Sequence, residues 1–376
     1  MHLQKLSLIN FKNYAEAELT FSSDANAFVG DNGSGKTNLL DAIHYLSLCK
    51  SYFNPADNQN IRHDAELMLL QGTYGLDGHI EHIHCGLKRN QRKVFKRNNK
   101  EYERLADHIG LLPVVMISPV DSMLITEGSE ERRKFIDSII SQYDKLYLDD
   151  LISYNKVVAH RNALLKQFAQ SRSFDPASLE IWDEQLIPLA DKIFVKRHEF
   201  ISRFSPIFQK HYNFITDAKE EVSVIYESHL AFGNFAATLS ASLNKDRMMQ
   251  YTTTGIHKDD LVFTTGGYPV KRFASQGQQK SFLIALKLAQ FQFIKELKGV
   301  KPILLLDDIF DKLDDMRVTR LMELVSHDSF GQLFISDTHP ERVRKIFQDI
   351  GIPIRVFEVE GGTIKNGPVP SSHEPA

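Results

Sequence analysis

The order of apolar and polar positions divides the chain into three stretches. Residues 3–9 alternate apolar and polar, the period of a half-buried strand; Phe11-Lys12-Asn13-Tyr14 reads as a turn, and 17–21 and 25–29 as further strands. The period then changes. Between Thr37 and Cys49, apolar Leu39, Leu40, Ile43, Leu46 and Leu48 recur at helical spacing. Residues 67–95 return to strand character as a meander that ends in the basic run 88–100, with Asn98-Asn99 as the hairpin tip because Asn tolerates left-handed backbone.

The middle stretch is helical. Phe135, Ile136, Ile139, Ile140, Tyr143, Leu146, Tyr147, Leu151, Tyr154 and Val158 recur every three or four positions, and 178–203 forms the clearest later helix. Pro176, Pro188 and Pro206 punctuate this region and predict several antiparallel helices packed as an arm rather than one long coiled coil. Beyond Tyr226 strand and loop character returns, followed by a helix after Ser275, a strand at 302–306 and a last strand at 332–335. The pattern predicts an α/β head assembled from both chain ends, 1–125 and 226–365, with an inserted helical lobe at 126–225 and a flexible Pro/Ser-rich tail at 366–376.

Composition narrows the class. A chain of 376 residues, 42% hydrophobic and 25% charged, has material for a sizeable core and is expected to fold. Its net charge of −3 gives no global basic field, so affinity for nucleic acid has to come from local patches: the hairpin at 88–100, or Arg132, Arg133 and Arg161 in the helical section. The bland reading of such a hairpin is a charged edge strand that resists aggregation. Two cysteines, Cys49 and Cys85, without a CxxC spacing exclude a zinc ribbon or disulfide scaffold and suit a reducing compartment. The absence of a signal-peptide pattern or a bilayer-length apolar run places the expected location in the cytoplasm, with no membrane partner.

The chemistry concentrates in three motifs. Gly30-Asp31-Asn32-Gly33-Ser34-Gly35-Lys36-Thr37, followed by Asn38, lies between a strand and a helix; its glycines let backbone N–H groups curl around a phosphate that also faces the positive end of the helix dipole. Lys36 is expected to reach the β- and γ-phosphates and Thr37 to ligate magnesium. Ile303-Leu304-Leu305-Leu306-Asp307-Asp308 describes a buried central strand delivering two carboxylates, Asp307 for the magnesium shell and Asp308 to orient or deprotonate the attacking water. Ser275, Gly277 and Gln278 begin another helix, where a hydroxyl and bare N–H groups offer a second anion site; an ordinary serine N-cap is the bland alternative. Ser336-Asp337-Thr338-His339 follows a strand and places polar groups where they can sense a γ-phosphate. The segment 254–260, with one His beside two Asp, reads as a turn or cap rather than a zinc site.

Taken together these motifs resemble the head of the ABC-type P-loop ATPases, and within them the RecF family of bacterial recombination mediators. The segments that carry the resemblance are 8–14, 131–137, 160–165, 255–261, 273–280 and Asp307-Asp308 with Leu313-Asp314, which together span almost the whole chain. It departs from the family pattern at Gly128-Ser129, where Gly-Pro is usual, and at Asp311-Lys312-Leu313-Asp314, where Ser-Glu-Leu-Asp is usual. The resemblance implies an ATP- and Mg2+-dependent homodimer in which the Gly30 loop of one subunit and Ser275 to Gln278 of the other enclose each nucleotide. It implies closure on single-stranded and gapped duplex DNA, slow DNA-dependent hydrolysis, and RecR and RecO as partners. The second acidic residue of such sites is often Glu; here Asp308 is one methylene shorter, which fits a slow timer. The competing readings are an SMC-like structural or nuclease-associated ATPase, whose inserted coiled coil is much longer, a transporter ATPase subunit, whose motifs lie closer together, and a module that binds nucleotide without hydrolysing it.

Overall fold

Five strands run parallel through the centre of the first of two compact units. In the computed structural model, which describes residues 1–76, 78–216, 220–310, 315–324 and 330–366, they lie in the order Ile354–Glu360, Ala25–Val29, Leu333–Asp337, Ile303–Asp307 and Val114–Ile117, with Thr363–Asn366 antiparallel at one edge. Every residue of Ala25–Val29, Ile303–Asp307, Leu333–Asp337 and Val114–Ile117 is buried, as expected of parallel strands covered on both faces.

A second, antiparallel sheet of six strands holds His2–Phe11 between Tyr14–Thr20 and Leu67–Leu76, and continues through His79–Lys88 and Val94–Arg97 to Lys100–Glu101. Its alternation is that of a sheet with one dry face: Leu3, Leu6, Leu8 and Phe11 point inward from the first strand. Helix Lys36–Leu48 packs against strands of both sheets, so eleven of its thirteen residues are buried. Leu40, Ile43, Leu46, Phe28, Phe334 and Phe357 join one continuous core with Leu6, Leu70 and Ile83 of the antiparallel sheet.

The second unit spans Met123–Lys210 and Lys219–Ser275; the first takes Met1–Ser122, His211–Ala218 and Gln276–Ala376. This differs from the expected division twice. His211–Ala218 of the expected lobe groups with the first unit. The head resumes at Gln276 rather than 226, because Val222–Glu227 and Asp260–Thr265 pair with each other in a separate three-stranded sheet. An alternating run marks a strand without naming the strand it will pair with.

The prolines also act otherwise than expected. Helix Ser129–Tyr143 is followed by Lys145–Ser171 and then by one helix, Pro176–Thr216, that passes through Pro188 and Pro206. Each interior proline costs about 3 kcal/mol in a free helix. Here a buried stripe of Leu186, Ala190, Ile193, Phe200, Phe204 and Phe208 outweighs that cost. The strand at Leu333–Asp337 is not the last, since Ile354–Glu360 and Thr363–Asn366 follow it. The tail from 367 on, and 311–314, lie outside the described residues.

Candidate nucleotide site

Parallel pairing brings four strand ends to one edge. Asp307 lies opposite Ser336, Leu306 opposite Ile117, and Asp337 opposite Val29, so Gly30, Ser118, Asp307 and Ser336 all emerge at the carboxyl ends of neighbouring strands. Ligands of open α/β sheets gather at that edge.

The loop after Ala25–Val29 takes the curled form its glycines allow. Gly30, Gly33 and Gly35 have φ of 151°, 79° and 120°. At Gly35 a methyl would lie 2.5 Å from Asn13 Nδ2 and 2.8 Å from the Tyr14 hydroxyl. Those two side chains hold the loop from beneath: Asn13 Nδ2 donates to Ser34 O at 3.0 Å, and Tyr14 donates to Gly35 O at 3.1 Å. Burial pushes the Tyr14 phenol well above its ordinary range, which keeps it a donor. Asn38 Nδ2 donates to Asn13 Oδ1 at 2.7 Å. The crest of the loop, Asp31, Asn32 and Gly33, is exposed.

Lys36 is buried, and its ammonium donates to Gly30 O at 2.8 Å and Asp31 O at 2.9 Å. An ammonium has three donors, so one remains to meet an anion cradled by the loop. Ser34 Oγ is buried with no hydrogen-bond partner. A buried, unpaired hydroxyl inside a loop of inward-facing N–H groups is what a phosphate oxygen satisfies. The loop fits a nucleotide phosphate.

Thr37 Oγ1 donates to Asp307 Oδ1 at 2.8 Å. Ser336 Oγ donates to the same oxygen at 2.8 Å, and Ser118 Oγ donates to Asp307 Oδ2 at 3.1 Å. Asp307 is 4% exposed, and among the described residues only hydroxyls, and no cation, bond to its carboxylate. A dry carboxylate beside a threonine hydroxyl, left without an ammonium partner, is an oxygen donor set for a hard divalent cation. The Mg2+ reading of Thr37 and Asp307 therefore fits.

Asp308 meets its neighbour at Ser336. Its φ of 44° lies in the left-handed region, and its N–H donates to Ser336 Oγ at 2.9 Å. The consecutive carboxylates meet at Ser336, whose Oγ also lies 3.4 Å from Asp308 Oδ1; Asp307 is buried among hydroxyls and Asp308 is half-buried at the strand end. Ser336, grouped in the sequence with Asp337, Thr338 and His339, bridges this pair. Ser118 was missed; its signal is a serine directly after the buried strand Val114–Ile117.

The remaining candidates divide. Asp337 is buried, accepting from the His339 N–H at 2.6 Å and from Arg342 Nη2 at 2.6 Å. Thr338 Oγ1 and His339 Nδ1 are 2.8 Å apart, with the His339 side chain 66% exposed. Ser275 is exposed just before helix Gln276–Lys298, and Gly277 and Gln278 sit in the first turn of that helix, where Ser281 Oγ donates to Gly277 O.

Most of the basic side chains weighed as nucleic-acid contacts are structural. Arg161 is fully buried between Asp183 and Asp246, Arg132 pairs with Asp260, and Arg133 donates to Ser129 Oγ and Asp259 O. In the hairpin Arg89 donates to the carbonyls of Arg62, His63 and Ala65, Lys93 pairs with Asp57, and Arg97 pairs with Glu81. Lys88, Lys96 and Lys100 are left exposed. His257 is also committed, as its Nε2 donates to Thr252 O while Nδ1 accepts from the Tyr154 hydroxyl.

The family model for the RecF/RecN/SMC N terminal domain matches residues 2–365. The chain is 53% identical over 359 residues to the DNA replication and repair protein RecF of Flavobacterium johnsoniae, covering 96% of this chain and 100% of that one. It is 51% identical to the protein of the same name in Phocaeicola vulgatus over 97% of this chain and 98% of the relative. Among solved structures, the recombination mediator protein RecF with ATP, of the RecFOR pathway, superposes with a TM-score of 0.88 at 29% identity, covering 98% of each chain. An Smc head domain with an extended coiled coil from Pyrococcus furiosus shares the fold at a TM-score of 0.56 and 18% identity, covering 97% of this chain and 95% of that one.

Proposed function

The chain belongs to the RecF family of ABC- and SMC-type ATPase heads, and from that premise we propose that it is an ATP-dependent DNA-binding protein of recombinational repair and replication. In this reading ATP joins two copies, DNA is held at single-strand gaps and their junctions with duplex, and slow hydrolysis reopens the pair. The observation that carries it is the union of the Gly30 loop with the Asp307 edge through Thr37.

In this reading the residues divide the work. The loop and Lys36 bind and orient the triphosphate, with Asn13 and Tyr14 fixing the loop that presents those donors. Thr37 and Asp307 would hold a magnesium ion, which would supply neutralising charge to the phosphate oxygens. Asp308, half-buried beside Asp307 at the strand end, takes the water proton. Ser275, Gly277 and Gln278 of a second copy supply the opposing donors, and Thr338 or His339 reads the γ-phosphate, since Asp337 is already bonded to Arg342. RecR and RecO are the partners this reading entails, in the cytoplasm; no described helix is long and apolar enough to cross a membrane.

The test is molecular mass by light scattering, alongside DNA binding and ATPase rate. Gapped, single-stranded and duplex DNA are each compared with Mg-ATP, ADP or no nucleotide. A dimer that forms only with ATP and binds gapped DNA most tightly supports the reading; a monomer under all conditions overturns it.

A further inference from the structure

In the second unit, far along the chain from the nucleotide motifs, the end of helix Lys145–Ser171, the loop after it and the end of helix Phe235–Met249 enclose a pocket of about 520 Å3. That volume lies in the range of ligand pockets. Its walls combine apolar groups with the polar Ser173 and Asn244: Leu165 is buried, Phe168 and Phe174 are half-buried, and Met248 is 83% exposed. An exposed methionine beside such a pocket is a pliable apolar surface that adapts to a partner.

Two guanidiniums share the rim. Arg247 lies over the Phe174 ring, 4.0 Å from its centroid, and Arg172 caps the preceding helix with φ of 52°. Neither has a carboxylate partner among the described residues. The neighbouring Asp175 is spent capping the next helix, accepting from the Ala177 N–H and the Ser178 hydroxyl. A guanidinium stacked on a ring keeps its in-plane N–H fork for a carboxylate. This contrasts with the buried arginines of the same unit, Arg161 and Arg197, which are each paired with two aspartates.

We propose that this pocket binds a short peptide segment of a partner protein in which a bulky apolar side chain lies next to a carboxylate. The apolar group fills the space against Leu165 and Phe168, and the carboxylate meets Arg172 and Arg247. A nucleobase fits less well. Phe168 and Phe174 pack edge to face on each other at 5.3 Å, and the guanidinium of Arg247 covers one face of Phe174, which leaves fewer ring faces for a base to stack on.

The test uses the full chain and an array of labelled hexapeptides in which one Asp or Glu and one Leu, Ile or Phe are varied in spacing. The best binder is then measured by fluorescence anisotropy, with a labelled dT oligomer in parallel. The expected result is saturable binding of acidic-apolar peptides, weakened at least ten-fold by Arg247→Glu or by Arg172→Glu and abolished by Ala169→Glu, which puts a charge in the pocket wall. Lys166→Glu, on the same helix but outside the pocket, should leave the affinity within about two-fold, which separates a specific site from general positive charge. Absence of any peptide binding up to millimolar concentration, binding indifferent to the two arginine variants, or tighter binding of the oligomer at these residues would overturn the proposal. Circular dichroism of each surface variant confirms that the fold is intact. ATPase and dimerisation measured on the same samples keep this outcome separate from the nucleotide reading.

Discussion

Thr37 and Asp307 stand 270 residues apart in sequence and share a hydrogen bond of 2.8 Å. One opens the helix behind the phosphate loop; the other closes strand Ile303–Asp307, an interior strand next to the edge strand Val114–Ile117. The bond makes the loop and the acidic edge a single oxygen-rich site, which neither half forms alone. Asp307→Asn keeps the shape and removes the negative charge. It is expected to lower the ATPase rate by at least 100-fold and to erase the Mg2+ dependence of nucleotide binding, read by titrating a fluorescent ATP analogue with and without the metal. Unchanged Mg2+ dependence would remove Asp307 from the metal shell.

Asp308 should separate binding from turnover. Its carboxylate is half-buried and meets Ser336 Oγ at 3.4 Å, whereas Asp307 bonds Thr37, so Asp308→Asn is expected to leave nucleotide affinity within about three-fold while cutting hydrolysis at least 100-fold. A variant that binds but does not hydrolyse should also accumulate the ATP-bound dimer, visible as a persistent doubled mass in light scattering. Asp308→Glu tests the short-arm argument: one added methylene should change the rate and leave affinity alone.

Arg197 is the anchor of the second unit. Wholly buried, it donates to Asp137 through Nε and Nη2, to Asp259 Oδ2 at 2.9 Å through Nη1, and to Ile256 O. Even so, burial holds the Asp259 carboxyl above its ordinary range, with Arg197 opposing that rise. Removing the guanidinium leaves a buried carboxylate unpaired, so Arg197→Met should destabilise this unit by on the order of 3–5 kcal/mol. Urea unfolding followed by tryptophan fluorescence measures it, Trp182 lying in the same unit. The double variant with Asp259→Asn should recover part of the loss, because it removes the stranded charge.

Much of this was legible in advance because the chemistry is local in sequence. The glycine loop, Thr37 and the acidic strand end are contiguous signals whose geometry follows from the strand before and the helix after. Tip residues Asn98 and Asn99 take φ of 49° and 66°, as their type foretells. What was not legible is non-local. Ser118 gains its role only because Val114–Ile117 pairs beside Ile303–Asp307, and strand 222–227 leaves the head only because its partner is 260–265. Arg161 reads as a basic surface residue in any local window; Asp183 and Asp246, distant in sequence, turn it into a core residue. The passage of one helix through Pro188 and Pro206 was hidden for the same reason, since the buried stripe that offsets them is a tertiary property.

Three histidines give the fold a defined acid limit. Burial pushes His44, His108 and His257 down to about 4 from the usual 6.5, and each ring is used in its neutral form. His108 Nε2 donates to Leu46 O at 2.7 Å while Nδ1 faces the Tyr102 hydroxyl, and His44 Nδ1 donates to Lys50 O at 3.1 Å. Because the folded-state values lie below the unfolded ones, the unfolded chain binds more protons between about pH 6.5 and 4. The stability these rings contribute is therefore complete above about pH 6.5 and is lost as pH falls toward 4. With all three titrating, the slope in that window is roughly 4 kcal/mol per pH unit. His257→Gln keeps a donor for Thr252 O but cannot take up a proton, so its urea-unfolding free energy measured from pH 7 to 5 should fall less steeply, by about one proton's worth. Equal slopes for the variant and the parent would mean that His257 does not titrate differently in the two states.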